Sequence, residues 1–487
     1  MRRSAPLLLA AFLVFYVPVR AAAQTQNLNL PDLGGVADIA LSPQAERRLG
    51  ESIMRDIRSD PKYIEDPEIT DYLDTLGDKL VNALPGANQD FEFFGMRDPT
   101  INAFALPGGF VGVNTGLINI ADNESELASV LAHEITHVTQ RHIARLLSQQ
   151  QQMQLPTMAA MVAAILLGNS RPDLAAGAAA AASAGNVQAQ ISYTRSYEEE
   201  ADRIGFQRLV AAGFDPQGMP DFFEKMQRYT QLSEDGSIPT YLRDHPVTTE
   251  RIADAENRAA HVPYHQHADS VDFALVRAKL RAQTGDADDQ VTYFRDALRD
   301  GRYANQGATR YGLVVALLRA GRSADAATQL ATLRALNVAS PMIDGLAARV
   351  SQARGDRAGA LAILRAALAR YPNDRPLTYA YVEALQDAGR NQDALGALFG
   401  QLRHYPRDEH LHMLLAKTYA GLGKRLLQHQ AQAEVYVLQG SLPQAIEQLQ
   451  LAQSAGDGDF YQLSTVDARL RELRSQQRLQ ASDAKRN

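Results

Sequence analysis

Four glycines, Gly321, Gly355, Gly389 and Gly423, stand 34 residues apart in the C-terminal half of the chain. A second marker keeps the same step: Tyr371-Pro372-Asn373-Asp374 returns as Tyr405-Pro406-Arg407-Asp408. Between these points the sequence is rich in Ala, Leu, Arg and Asp with helical periodicity. Two short helices and a turn cannot bury an apolar face alone, so such units must stack into a solenoid. Glycine followed five residues later by alanine recurs at Gly321/Ala326, Gly355/Ala360, Gly389/Ala394 and Gly440/Ala445, small side chains that let paired helices approach. Gly440 follows Gly423 by only 17 residues, and an inserted helix is expected to break the register there.

A 34-residue helix–turn–helix period is the tetratricopeptide signature. It is expected over residues 266–487, which leaves 24–265 for a domain of another kind, as a chain of 487 residues allows. With 45% apolar and 22% charged residues the proportions are globular, which excludes a disordered tail or a collagen-like fibre. The net charge of −7 and the lack of a long basic block argue against a nucleic-acid partner. Cysteine is absent, so thiolate zinc sites, cysteine nucleophiles and disulfides are excluded, and any metal must be held by His and carboxylates.

The first residues have the three parts of a secretory signal peptide: Arg2-Arg3, an apolar run over 7–17, and the small residues Ala21-Ala22-Ala23. Cleavage is expected before Gln24, giving a signal peptide over 1–23 and a periplasmic location in a Gram-negative cell. Eleven apolar residues are too few for a spanning helix, which needs about 20.

Residues 24–41 read as a polar lead-in, with helices following at about 43–58 and 67–84, each opened by a first-turn proline, Pro43 or Pro67. Residues 91–96 and 110–114 read as strands, the second after a Gly108-Gly109 turn. Asn123 with Glu126 three residues on reads as a capping box opening a helix through about residue 147. Strands followed by helices make the domain α+β and the whole chain mostly helical. The apolar, then Ala/Gly-rich segment 155–184 reads as a helical hairpin; a membrane-touching or substrate-gating flap is the alternative.

His133-Glu134-Ile135-Thr136-His137 carries the chemistry. On a helix, residues four apart are turned by about 400°, so both imidazoles project from one face and can bind one Zn²⁺. Glu134 sits one step round, where it can deprotonate a water beside the metal. H-E-x-x-H alone occurs in many unrelated chains; a third ligand decides. The metzincin pattern needs glycine and histidine where Gln140 and Ile143 stand, so that class is out. Glu198-Glu199-Glu200-Ala201-Asp202 supplies an acidic helix 61 residues after His137. In E-x-x-x-D the end residues share a face, so Glu198 is the expected ligand and Asp202 the acceptor that fixes the tautomer of a ligating histidine. Glu199 and Glu200 are the rivals to Glu198. His142 reads as a surface residue.

These motifs, with Arg203-Ile204-Gly205 after the acidic run and Asn102-Ala103-Phe104-Ala105 upstream, resemble the HtpX and CAAX-prenyl-protease group of zinc metallopeptidases, a gluzincin family. The signal peptide and the repeats match its exported, soluble branch. The resemblance implies one Zn²⁺ per chain on His133, His137 and Glu198, Glu134 as general base, and a supporting role for Asp202. It also implies that residues 102–114 form an edge strand beside the active site. His245, in Arg243-Asp244-His245-Pro246, matches a His-Pro loop that faces the active site in this branch. It could fill the fourth zinc position as a latch, swing away to stabilise the oxyanion, or be a solvated loop residue; the latch is the expectation.

The expected activity is zinc-dependent hydrolysis of peptide bonds in unfolded or stalled envelope proteins, the peptide extended along the edge strand. By resemblance the clients are outer-membrane β-barrel precursors and the partner, through the repeats, is the β-barrel assembly machinery. The alternative is a mainly non-proteolytic tetratricopeptide chaperone or adaptor with a latent zinc site.

Overall fold

The computed structural model describes residues 41–86, 90–149, 195–232, 239–263 and 265–486. The signal peptide expected over 1–23 and the hairpin expected over 155–184, with its membrane contact, lie outside these residues.

Helix α1 (Pro43–Arg58) begins where Ser42 accepts a hydrogen bond from the Ala45 amide, with Pro43 in the first turn. Its Leu49, Ile53, Met54 and Ile57 pack against Phe94, Phe104 and Phe110 of a small sheet. Burying each such side chain contributes about 1.5–3 kcal/mol. Helix α2 (Pro67–Val81) is capped by Asp66 in the same way and ends three residues earlier than the expected 84.

The sheet holds β1 (Glu92–Met96), β2 (Ala103–Leu106) and β3 (Phe110–Asn114) in the order β1-β3-β2. Strand β3 runs parallel to β1 and antiparallel to β2, with Gly112 opposite both Phe94 and Phe104. The stretch 102–114 is therefore not one edge strand. Its second half is the centre of the sheet, because the Gly108-Gly109 turn folds β3 back between β2 and β1; only β2 lies at the edge, and all four of its residues are buried.

Helix α3 (Thr115–Ile120) leads to α4 (Glu124–Thr139), in which every residue from Glu124 to Val138 is buried. Asn123 caps it by accepting from the Glu126 amide, while the Glu126 carboxylate turns to the Asp122 amide and Lys225, so the box is not reciprocal. The expected run to about 147 is broken. Arg141 takes a left-handed φ of 53° and a separate helix, α5 (His142–Gln149), starts after it. Arg141 is held there from outside: its guanidinium donates to Glu46 on α1 at 3.0 Å and to the Leu41 carbonyl.

Helix α6 (Arg195–Ala211) crosses α4 closely. A Cβ on Gly205 would stand 3.1 Å from the His133 amide nitrogen and 3.2 Å from the Ala132 carbonyl, so glycine permits the approach. Helices α7 (Gly218–Leu232), α8 (Thr240–Asp244) and α9 (Thr249–Ala260) complete this part, α9 capped by Thr248.

Twelve helices follow in the described residues: α10 (Val271–Ala282), α11 (Ala287–Arg299), α12 (Gln306–Arg319), α13 (Ser323–Arg334), α14 (Pro341–Ala353), α15 (Arg357–Arg370), α16 (Arg375–Asp387), α17 (Asn391–Leu402), α18 (Glu409–Gly421), α19 (Arg425–Leu438), α20 (Leu442–Ser454) and α21 (Phe460–Arg486). Gly321, Gly355, Gly389 and Gly423 each close a tight turn at φ between 70° and 83°, a conformation that favours glycine. No helix is inserted at Gly440. It forms the turn between α19 and α20, where other repeats use a longer connection, and Gly456 resumes the spacing 33 residues after Gly423.

One apolar cluster runs from Ile64 and Leu73 through Leu131, Phe206 and Phe273 to Tyr311 and Leu346, so the first repeats share a core with the residues before them. Polar ties reinforce it: the Lys279 ammonium, 1% exposed, reaches Asp66 and Glu68, and Arg375 reaches Asp71 and Asp74 at 2.8 Å each. No helix among the described residues is long and apolar enough to cross a membrane.

Candidate metal centre

Helix α4 presents His133 and His137 to α6, their Nε2 atoms 2.9 Å apart. Glu198 faces both, Oε2 lying 3.5 Å from His133 Nε2 and Oε1 3.5 Å from His137 Nε2. His245, the C-cap of α8, completes the group with Nδ1 3.0 Å from Glu198 Oε1 and 3.3 Å from His133 Nε2. The four donor atoms lie within 4.8 Å of one another, and none of the four residues is more than 2% exposed. Donors around a tetrahedral zinc at about 2.0–2.2 Å stand about 3.3–3.6 Å apart. That is close to the 2.9–3.5 Å separations here, so the set fits the ion in chemistry and approximate spacing.

Glu134 is fully buried, and neither carboxylate oxygen receives a hydrogen bond from any described residue. His245 Nε2 lies 3.4 Å from its Oε1. Burial raises its pKa, against the pull of His245 and His133. A buried carboxylate with unoccupied lone pairs beside His245 and His133 suits a base that meets a water molecule.

Asp202 accepts from His133 Nδ1 at 2.9 Å, which leaves the Nε2 lone pair of His133 aimed into the cluster. Burial alone would push the Glu198 and Asp202 carboxyls up. His245 and His133 outweigh it at Glu198, and Arg251 and His133 at Asp202, so both are held below the usual range. Burial likewise opposes charge on His133, yet Asp202 and Glu198 raise it to about 10. Burial, with His133 beside it, holds His137 well below the usual imidazole range, so the attraction for positive charge comes from the carboxylates Glu198 and Asp202.

The structure brings together all six residues singled out from the sequence. Glu199 points away, its side chain half exposed and paired with Arg195. Glu200 reaches His142 and Arg145 instead of the cluster. His142 itself is not at the surface: it is fully buried beneath His137, because the break at Arg141 redirects the chain, and burial lowers its imidazole to about 4 against the pull of Glu200.

Two residues escaped sequence reasoning. Arg251 on α9 donates to Asp202, lies 3.0 Å from Glu198 Oε2, and donates to the Pro246 carbonyl at 2.7 Å, joining both acidic residues to the loop that carries His245. Its position on the apolar face of α9, one residue before Ile252, was the available signal. Tyr241 stacks on His245 with ring centroids 5.0 Å apart, and its amide donates to the Ile101 carbonyl just before β2.

The profile of Peptidase family M48 matches residues 67–259, which hold every residue of the cluster, and a tetratricopeptide repeat profile matches 352–418. A β-barrel assembly-enhancing protease of Yersinia pestis is 35% identical over 468 residues, spanning 94% of this chain and 95% of the relative. The chain belongs to the β-barrel assembly-enhancing protease family. The homologue of that name in Escherichia coli (strain K12) is 35% identical over 451 residues, 92% of each chain. The mitochondrial metalloendopeptidase OMA1 of Arabidopsis thaliana is 28% identical over 223 residues, 45% of this chain and 42% of its own. As a member of the family the chain is a metallopeptidase with a repeat array.

Proposed function

We propose that this metallopeptidase is an exported zinc endopeptidase of 24–265 joined to repeats over 266–487. In it His133, His137 and Glu198 hold one Zn²⁺, Glu134 is the general base, Asp202 orients His133, and His245 latches the site. The observation that carries the reading is the buried convergence of His133, His137, Glu198 and His245 around a carboxylate, Glu134, that has no hydrogen-bond donor among the described residues.

Zinc, when bound, lowers the pKa of a coordinated water towards about 7 and polarises the peptide carbonyl. Glu134 then takes the proton of the attacking water and passes it to the leaving amine, a shuttle suited to a carboxyl whose pKa burial has raised. Asp202 keeps the His133 hydrogen on Nδ1, and Arg251 keeps Asp202 in place. The peptide pairs with the edge of β2, whose lead-in carbonyl at Ile101 now holds the Tyr241 amide.

The signal-peptide pattern of residues 1–23 and the bacterial relatives support a periplasmic location. The relatives' name supports β-barrel precursors as clients and, with the repeats, the barrel assembly machinery as the partner; that the clients are unfolded or stalled ones is part of the proposal. A second reading, a chaperone or adaptor with a latent site, is favoured by His245 lying against both Glu198 and Glu134. The test is cleavage of a denatured outer-membrane protein before and after a chelator and after zinc is restored. Loss and recovery of cleavage support the protease; zinc bound without cleavage supports the adaptor.

A further inference from the structure

His142 lies outside the four-residue cluster, yet its ring touches it. Nδ1 stands 2.8 Å from Nδ1 of His137, Nε2 stands 3.2 Å from Glu200 Oε2, and Arg145 Nη1 donates to that same oxygen at 2.8 Å. Tyr197 stacks flat on the ring at 4.7 Å. An unbroken helix would turn about 500° between residues 137 and 142, pointing the two side chains about 140° apart. The left-handed Arg141, held by Glu46 and the Leu41 carbonyl, restarts the helix and sets His142 against His137 instead. That conformation is disfavoured for a non-glycine residue, so those contacts hold it.

We propose that His142 is a positioning residue for the metal, accepting the Nδ1 hydrogen of His137 and so fixing the tautomer that turns the His137 Nε2 lone pair towards the ion. The inference rests on the reading above that His137 is a ligand. A histidine that ligates through Nε2 carries its hydrogen on Nδ1. The hydrogen between the two Nδ1 atoms then belongs to His137, so His142 accepts it and carries its own on Nε2, where Glu200 accepts in turn. Arg145 anchors the end of the chain. The two ligating imidazoles are thus supported unequally: His133 donates to a carboxylate, Asp202, whereas His137 donates to a neutral ring with the carboxylate one step behind. Such outer partners typically carry about 10–100-fold in metal affinity.

The experiment is zinc affinity by competition with a chromophoric chelator, on the full chain in a Glu134→Gln background that prevents self-cleavage. The parent is compared with His137→Ala, His142→Phe and His142→Asn. Phenylalanine keeps a ring on Tyr197 and removes the acceptor; asparagine restores an acceptor oxygen at the δ position. His142→Phe is expected to bind zinc about 10–100-fold more weakly, and His142→Asn to return to within a few-fold of the parent. The visible bands of the Co²⁺-loaded protein should shift in His142→Phe and not in His142→Asn. Equal affinity of His142→Phe and the parent overturns the proposal, as does an asparagine variant as weak as the phenylalanine one. If His137→Ala retains full affinity, the ligand assignment fails and the proposal with it. Should His142→Phe not fold, Glu200→Gln replaces it: a few-fold loss is expected, and unchanged affinity overturns the proposal.

Discussion

Arg251 grips Asp202 with two parallel hydrogen bonds, Nε to Oδ2 at 2.6 Å and Nη2 to Oδ1 at 2.8 Å, in a setting where Arg251 is 5% exposed. The same guanidinium reaches Glu198 and the Pro246 carbonyl, so one side chain from α9 fixes the acidic helix and the His245 loop together.

Arg251→Met therefore leaves two buried carboxylates short of a partner, which costs about 3–5 kcal/mol when a buried pair is broken. A lower melting temperature and weaker zinc retention are expected. Arg251→Lys should not restore zinc retention, because an ammonium cannot make the paired contact. Full rescue by lysine, read by metal analysis after dialysis, would show that only the charge matters.

His245→Ala tests the latch. Removing a ring that closes the cluster raises the cleavage rate by the inverse of the open fraction, about tenfold where a tenth of the molecules are open. If His245 instead stabilises the oxyanion, the rate falls, by about 10²-fold or more. Initial rates on a denatured protein substrate distinguish the two.

The ends of α1, strands β1 and β3 and the spacing of the repeat glycines were legible in the sequence because each depends on local features: caps, first-turn prolines, short apolar runs and turn glycines. The i, i+4 spacing placed His133 with His137 and Glu198 with Asp202 for the same reason. What was not legible depends on distant parts of the chain. The break after α4 needs Arg141 to meet Glu46 on α1, and that break is what buries His142. The central place of β3 follows from how the sheet closes, and Arg251 gains its meaning only when α9 packs on α6. At Gly440 the spacing suggests an insertion, whereas the structure has a shortened connection between hairpins, from Leu438 to Leu442.

A pH effect on stability is expected at Asp374, the N-cap of α16. Burial raises its carboxyl to about 7, with the nearby Asp71, Glu68 and Asp272 adding to the rise and the Leu377 amide opposing it. The folded-state value lies above the unfolded value of about 3.9, so folding takes up a proton between about pH 4 and 7 and stability falls as pH rises through that window. Asp374→Asn keeps a capping oxygen and removes the charge. Its melting temperature should exceed that of the wild type by about 2 °C or more at pH 8 and match it near pH 4. An equal difference at both pH values would mean that Asp374 ionises freely.

Glu134→Gln is nearly isosteric and removes only the proton acceptor, so it isolates the role of that carboxylate in hydrolysis. The measurement is zinc content and cleavage of a denatured outer-membrane protein, for the wild type and this variant side by side. One zinc per chain is expected in both, with cleavage reduced about 10²–10⁴-fold in the variant if Glu134 is the general base. Cleavage by Glu134→Gln at the wild-type rate, with zinc bound, would contradict that role.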